Sequence, residues 1–264
     1  MLRTTLIQSD LYWQDIGANL AMFEEKIWKI EDETDLIILP EMFNTGFSMS
    51  ASELAEPENF TTFRWMKQMA KQTNAAVIGS YIIKESSNYY NRLYFVEPDG
   101  SYGSYDKRHL FRMGKEHLTY APGKKRMIRN FRGWKIMPQI CYDLRFPVWN
   151  RNRYDLTTSE FEYDLLIFVA NWPAPRIAVW DSLLKARALE NQCFSIGVNR
   201  TGSDGEGIDY NGNSIVYNYK GQPMYKTTNQ PFMQTVELDL TELQSFRNKF
   251  PVYLDWDKYE IDPS

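Results

Sequence analysis

The order of elements read from this chain predicts an α/β protein built as a four-layer α-β-β-α sandwich. Three observations carry that reading. Short continuous apolar runs stop at loop-forming residues, as "DLIILP" (35–40) does at Pro40, which is the look of interior parallel strands. Between them lie stretches whose apolar residues recur at three- and four-residue steps, the spacing of helices packed on one face. The two halves also run alike: strand, helix, strand, helix, then a hairpin.

"TTLIQSD" (4–10) reads as the first strand, and "NLAMFEEKIWKIE" (19–31) as an amphipathic helix through Leu20, Phe23, Ile27 and Ile30. "DLIILPE" (35–41) is a buried strand with Glu41 at its carboxyl end. A helix over 59–73 precedes strands "AAVIGSYII" (75–83) and "NRLYFVEP" (91–98), and the turn "PDGSYG" leads into "SYDKRHL", a strand that Lys107 closes. "GWKIMPQI" (133–140) is a strand, "FPVWNRNRYD" (146–155) a helix, "YDLLIFVAN" (163–171) a strand, and "VWDSLLKARALENQ" (179–192) a helix through Leu183, Leu184, Ala188 and Leu189. After the turn-rich "TGSDGEGIDYNGN", "SIVYNYKGQPMYK" and "PFMQTVELDL" read as antiparallel strands joined by a Gly-containing turn. No linker composition divides the chain, so 1–264 is expected to be a single domain with 241–264 as a C-terminal helix and tail.

Composition narrows the function. The 264 residues are 43% hydrophobic and 24% charged, with 15 Phe, 17 Tyr and 8 Trp, as in folded rather than disordered proteins. A net charge of −4 with scattered basic residues offers no face for nucleic acid, so small molecules are the expected partners. Runs such as "LLIFVA" (165–170) are far too short to span a membrane, and "MLRTTLIQSDLYW" lacks the apolar stretch of a secretory signal, so a cytoplasmic location is expected. In that reducing compartment Cys141 and Cys193 do not pair, and their separation fits no metal-ligand spacing. Cys193, in the apolar "CFSIGV", reads as buried and inert.

Glu41, Lys107 and Cys141 each fall at the carboxyl end of a predicted strand, the edge where open α/β sheets bind ligands. Taken singly, they read as a loop carboxylate, a surface charge and a small buried hydrophobe. Taken together, they supply what a cysteine hydrolase needs: a thiol, a base for its proton, and a positive charge for the developing oxyanion. His109 and His117 lie eight apart with no metal-ligand pattern around them, and "GSDGEG" lacks the Lys-Ser/Thr of a phosphate loop, so neither displaces that reading.

"LPEMFNTGF", "YDKRHLF" and "QICYDLRFP" resemble, in order and spacing, the Glu, Lys and Cys motifs of the carbon-nitrogen hydrolases of the nitrilase superfamily. The likeness runs from "TTLIQSD" through "LLKARALENQ" and "NRTGSDG" to the last strands, and "ICYDLRFP", "ANWPAPR" and "ARALENQ" are similar to the omega-amidase branch. The resemblance implies Cys141 as nucleophile, Glu41 as general base and later acid, Lys107 as stabiliser of the tetrahedral intermediate, and the Tyr142 backbone N–H as its partner in the oxyanion hole. Glu116, in "GKEHLTYAPG", matches a second glutamate that orients the substrate amide or Lys107. It implies no cofactor and no metal, a small amide substrate with a distal carboxylate, and a homodimer. Arg145 and Arg176 are candidates for that carboxylate, although Arg145 is expected to hold the turn through Asp143; Phe43 and Trp172 are expected to wall the pocket. Where many members carry a histidine, this chain has Asn211. An N-carbamoyl amino acid or aliphatic amide hydrolase, or a non-catalytic binding protein on the same fold, are the alternatives.

Overall fold

The computed structural model describes residues 1–227 and 229–261. The first half runs β1 (Leu2–Gln8), α1 (Ile16–Trp28), β2 (Leu36–Ile38), α2 (Ala51–Leu54), α3 (Thr61–Thr73), β3 (Ala76–Glu85), β4 (Asn88–Val96) and β5 (Tyr102–Asp106). The one-turn α4 (Glu116–Thr119) leads to β6 (Arg129–Phe131), β7 (Trp134–Ile140), α5 (Pro147–Asn150), the ribbon β8 (Tyr154–Asp155) and β9 (Glu160–Phe161), β10 (Leu165–Ala170) and α6 (Ile177–Asn191). There follow β11 (Phe194–Asn199), the hairpin β12 (Thr201–Ser203) and β13 (Asp209–Asn211), β14 (Ile215–Tyr217), β15 (Pro223–Lys226), β16 (Phe232–Leu238) and α7 (Leu240–Lys249).

Two six-stranded sheets form, ordered β16-β1-β2-β3-β4-β5 and β15-β14-β11-β10-β7-β6. Each has a parallel centre, β1-β2-β3 in one and β7-β10-β11 in the other, flanked by antiparallel strands. Period-two alternation assigns the faces. Leu36 and Ile38 point into a core shared with Ile140, Ile167 and Ile196 of the second sheet, whereas Ile37 points out against Phe23, Phe63 and Met66 of α1 and α3. On the far face Trp180, Leu184 and Ala188 of α6 pack over β11, and Gly197 makes the approach possible, because a Cβ there would lie 2.4 Å from Leu184 and Trp180. These are the four layers expected: helix, sheet, sheet, helix.

Several elements differ from the sequence reading. The first helix begins at Ile16 rather than 19, because Asp15 caps it by accepting the Ala18 N–H at 2.9 Å. The helix expected over 146–155 is a single turn, Pro147–Asn150. Its asparagines bond elsewhere: Asn150 Nδ2 donates to Asp143 O at 2.7 Å and Asn152 Nδ2 to Tyr163 O at 2.9 Å, and these competing bonds end the helix. "SIVYNYKGQPMYK" makes its own hairpin, β14 with β15, while "PFMQTVELDL" crosses over as β16 to pair antiparallel with β1, Leu2 opposite Leu238. The last helix, α7, spans Leu240–Lys249, and the last residues of the expected tail, 262–264, lie outside the described residues. Among the described residues no helix is long and apolar enough to cross a membrane.

Candidate active site

Three strand ends deliver the charged groups. Leu39 and Pro40 carry the chain past β2 to Glu41; β5 ends at Asp106, one residue before Lys107; and β7 ends at Ile140, one residue before Cys141. Cys141 sits at φ +43°, in the left-handed region that non-glycine residues avoid, at the first position of a 3₁₀ turn, Cys141–Arg145. The strain marks a sharp elbow between strand and turn. Tyr142 follows in the first turn, where backbone N–H groups have no acceptor within the helix.

The side chains converge. Lys107 Nζ donates to Glu41 Oε1 at 2.8 Å and to Glu116 Oε1 at 3.0 Å, with all three side chains at most 1% exposed. Glu41 Oε2 accepts the Asn171 backbone N–H at 2.8 Å, and Glu116 Oε2 that of Phe111 at 2.5 Å. Cys141 Sγ lies 3.8 Å from Asn171 O. Asn91 and Asn171 were not read from the sequence as site residues. Each stands at an end of an expected strand, where asparagine reads as an ordinary boundary residue, and only the fold brings them to the carboxylates.

Electrostatics follow from this burial. Desolvation alone would depress the Lys107 ammonium, but the carboxylates of Glu116 and Glu41 overcome it and hold the group above its ordinary range. Burial raises the Glu116 carboxyl; Lys107 opposes the rise and Glu41 adds to it. Burial, then the Glu41 charge, pushes the Cys141 thiol well up, with Lys107 pulling the other way. The resting group is therefore a neutral thiol beside an acceptor.

A cavity of about 590 Å³ opens onto the thiol and Lys107, walled by Trp13, Phe47, Phe111, Tyr142, Trp172 and Tyr210. Arg145 and Arg176 both line it. Among the described residues neither guanidinium has a carboxylate partner: Arg145 lies over the Trp172 ring at 5.1 Å, and Arg176 over Phe111 at 5.4 Å. The loop between β12 and β13 adds Asp204, Glu206 and Ile208 to the wall, which its turn-like composition did not disclose.

Two expectations are corrected. Phe43 does not wall the pocket; it is fully buried behind the first sheet, against Phe23 and Trp65, because the turn after Glu41 folds it back into the helix–sheet core. Arg145 does not hold Asp143. The Asp143 carboxylate is already occupied, receiving Tyr105 Oη–H at 2.8 Å, the His109 backbone N–H at 2.9 Å and the Ile140 N–H at 3.2 Å, with His109 Nδ1 at 2.8 Å. His117 lies half-buried on α4, and Cys193 is fully buried at the end of α6 with Sγ 3.8 Å from Arg187 O. Among the described residues no cluster of three His, Cys, Asp or Glu side chains is placed to hold a metal ion.

A sheet edge that carries a strained, buried cysteine beside an ion-paired lysine and two carboxylates is the geometry of a thiol-dependent hydrolase. Residues 3–248 match the model of the carbon-nitrogen hydrolase family, and the chain belongs to that family. It falls in the omega-amidase-like branch. It is 45% identical to the omega-amidase YafV of Escherichia coli (strain K12), over 98% of either chain, and 32% identical to the 2-oxoglutaramate amidase of Bacillus subtilis (strain 168), over 94% of this chain and 95% of that one. The crystal structure of a CN-hydrolase superfamily protein from Xanthomonas campestris, with an arsenic adduct in its active site, superposes with a TM-score of 0.96 at 41% identity, covering 99% of each chain. The protein is a hydrolase of carbon–nitrogen bonds in amides.

Removing the ammonium tests this electrostatic account. In Lys107→Met two buried carboxylates face each other without a cation, so Glu116 loses the larger of the two groups that oppose its rise and keeps only the Phe111 N–H. A carboxylate raised in the folded state binds more protons folded than unfolded, and stability then falls as pH climbs above the ordinary value of 4.5. Thermal melts from about pH 5 to pH 8 should show the melting temperature of Lys107→Met dropping with pH more steeply than that of the parent protein. A difference between the two that stays constant with pH refutes the account.

Proposed function

We propose that the protein hydrolyses the terminal amide of a small dicarboxylic acid monoamide, of the 2-oxoglutaramate or 2-oxosuccinamate type, through a thioester on Cys141. The observation that carries the substrate class is the pair of guanidiniums, Arg145 and Arg176, that have no carboxylate partner among the described residues and stand on the wall of the cavity that opens onto the thiol. A planar guanidinium lying on an aromatic face keeps its N–H edge free for a carboxylate. The names of the relatives from Escherichia coli and Bacillus subtilis support the same class.

Each step has a residue. Glu41 takes the Sγ proton as the sulfur attacks the amide carbon, because a thiol held well above its ordinary range needs the acceptor at the moment of attack. The oxyanion that forms is met by the Lys107 ammonium and the Tyr142 backbone N–H. The C–N bond breaks, the proton on Glu41 passes to the nitrogen, ammonia leaves, and the acyl group stays on Cys141 as a thioester. Water then gives a proton to Glu41 and attacks the thioester; collapse releases the acid, and the thiolate recovers its proton from Glu41. Glu116 acts through Lys107, whose ammonium it holds together with Glu41.

The same reading takes the chain to be a cytoplasmic homodimer, and sedimentation velocity should find a species of twice the 31.2 kDa chain mass. A monomer across micromolar concentrations contradicts it. In Cys141→Ala, ammonia release from 2-oxoglutaramate should fall by about 10³-fold or more, and rapid-quench intact-mass measurement of the parent protein should detect the acyl adduct. Retained turnover in Cys141→Ala ends the mechanism. Arg145→Met or Arg176→Met should raise KM for the monoamide by roughly 10- to 100-fold, the loss of one charge-assisted hydrogen bond. A neutral aliphatic amide serves as the control, and an equal loss on both substrates means that neither arginine reads the distal carboxylate.

A further inference from the structure

We propose that Asn91 is the positioning residue of the acid–base couple: its side-chain amide holds Glu41 and Glu116 together as carboxylates around the Lys107 ammonium. The inference rests on the reading of Glu41 as the base. Asn91 lies on β4, 1% exposed, and meets both carboxylates of the cluster and the backbone of Lys107. Its Nδ2 donates to Glu41 Oε1 at 2.8 Å and reaches Glu116 Oε1 at 3.3 Å, while its backbone oxygen accepts the Lys107 backbone N–H at 3.0 Å. Only the nitrogen end of an amide can face two carboxylate oxygens, so these contacts fix its orientation.

The charge balance gives this residue its task. One ammonium and two carboxylates leave the cluster one negative charge in excess, in a site where ionised groups have lost their water. A buried couple of that kind relieves the excess by taking up a proton, and a base that carries a proton cannot accept one from the thiol. An amide N–H stabilises the ionised form and carries no proton that titrates near neutrality. Among the described residues only Lys107 and Asn91 donate to both carboxylates. The other ionisable groups around Glu41 are the Cys141 thiol, the Tyr120 phenol, which is bonded to Ser48 O at 2.5 Å, and the more distant Tyr210 phenol. None of these supplies positive charge. Asn91 is itself held by strand pairing, opposite Ile82 of β3, so its amide is aimed before substrate arrives.

The test is the pH dependence of two rates, ammonia release from 2-oxoglutaramate as kcat/KM and alkylation of Cys141 by iodoacetamide read by intact mass. In Asn91→Leu the acid limb of both profiles should move up by roughly one pH unit, about a tenfold loss at the foot of the parent limb, and rates should recover at the alkaline plateau. Asn91→Asp, which exchanges the donor for a third carboxylate, should move the limb further. Asn91→Ser, smaller and polar, provides the same comparison should the leucine variant not fold, and thermal melts separate folding from activity. A loss of equal size at every pH, or profiles that do not move, overturns the proposal, because a purely structural asparagine would act alike across the range. If the parent protein releases no ammonia from such amides the substrate reading fails, and the alkylation profiles still report on Asn91.

Discussion

The site depends on one buried ammonium. Lys107 is shared between Glu41 and Glu116 with almost no access to solvent, and burying three ions costs several kcal/mol each before their attraction is counted. Such a cluster survives only where the remaining lone pairs meet donors, and here they do: Asn91 Nδ2 on the inner oxygens, the Asn171 N–H on Glu41 and the Phe111 N–H on Glu116. Removing one member leaves uncompensated buried charge, typically about 3–5 kcal/mol. The folding cost therefore ties strands from both halves of the chain to the same few atoms.

Those atoms straddle the two sheets. Glu41, Asn91 and Lys107 come from the first, Cys141 and Asn171 from the second, and the bond from the Asn171 N–H to Glu41 Oε2 crosses between them. Asn171 Nδ2 adds a second crossing bond, to Glu41 O at 2.6 Å. A second tie runs behind the thiol. Asp143, two residues after Cys141, takes donors from Tyr105 and His109, which bracket Lys107, and the His109 ring stacks on Phe146 at 3.7 Å between centroids. The strained φ at Cys141 is thereby held by the same segment that presents the ammonium, so elbow and ammonium keep a common register.

How much of this could be read from the sequence follows from the range of the forces involved. Apolar periodicity is local, and it disclosed the strands ending near Glu41, Lys107 and Cys141 and the helices that cover the sheets. Pairing between distant strands is not local, and so the crossing of "PFMQTVELDL" to β1 was missed although both strands were recognised. Polar side chains are harder still. Asn150 and Asn152 cut short a helix by donating to Asp143 O and Tyr163 O, carbonyls outside it that no apolar pattern assigns to them. Arg145 was assigned to Asp143 by proximity in the chain, yet Asp143 is satisfied from 34 residues away by His109. Phe43, two residues from the base, was drawn to the pocket by adjacency, whereas its 0% exposure reflects a turn that no local pattern reports.

The correction at Arg145 alters the chemistry of the cavity. A guanidinium paired with Asp143 would have been neutralised and lost to the substrate; with Asp143 satisfied by Tyr105, His109 and the Ile140 N–H, the charge of Arg145 faces the cavity and the Trp172 ring. The same economy operates at the other end. Lys107 is almost completely occupied by two carboxylates, so it exerts little pull on a distant anion and is reserved for charge that develops within reach of Nζ. On the proposed mechanism the site separates its positive charges by function: one paired and buried at the thiol, for an oxyanion that exists only during the reaction, and others on the cavity wall without a described carboxylate partner, for a carboxylate present from the start. Binding energy spent on the wall holds substrate and transition state alike, whereas that at Lys107 grows as the carbonyl oxygen becomes an anion, and only the latter lowers the barrier of the chemical step.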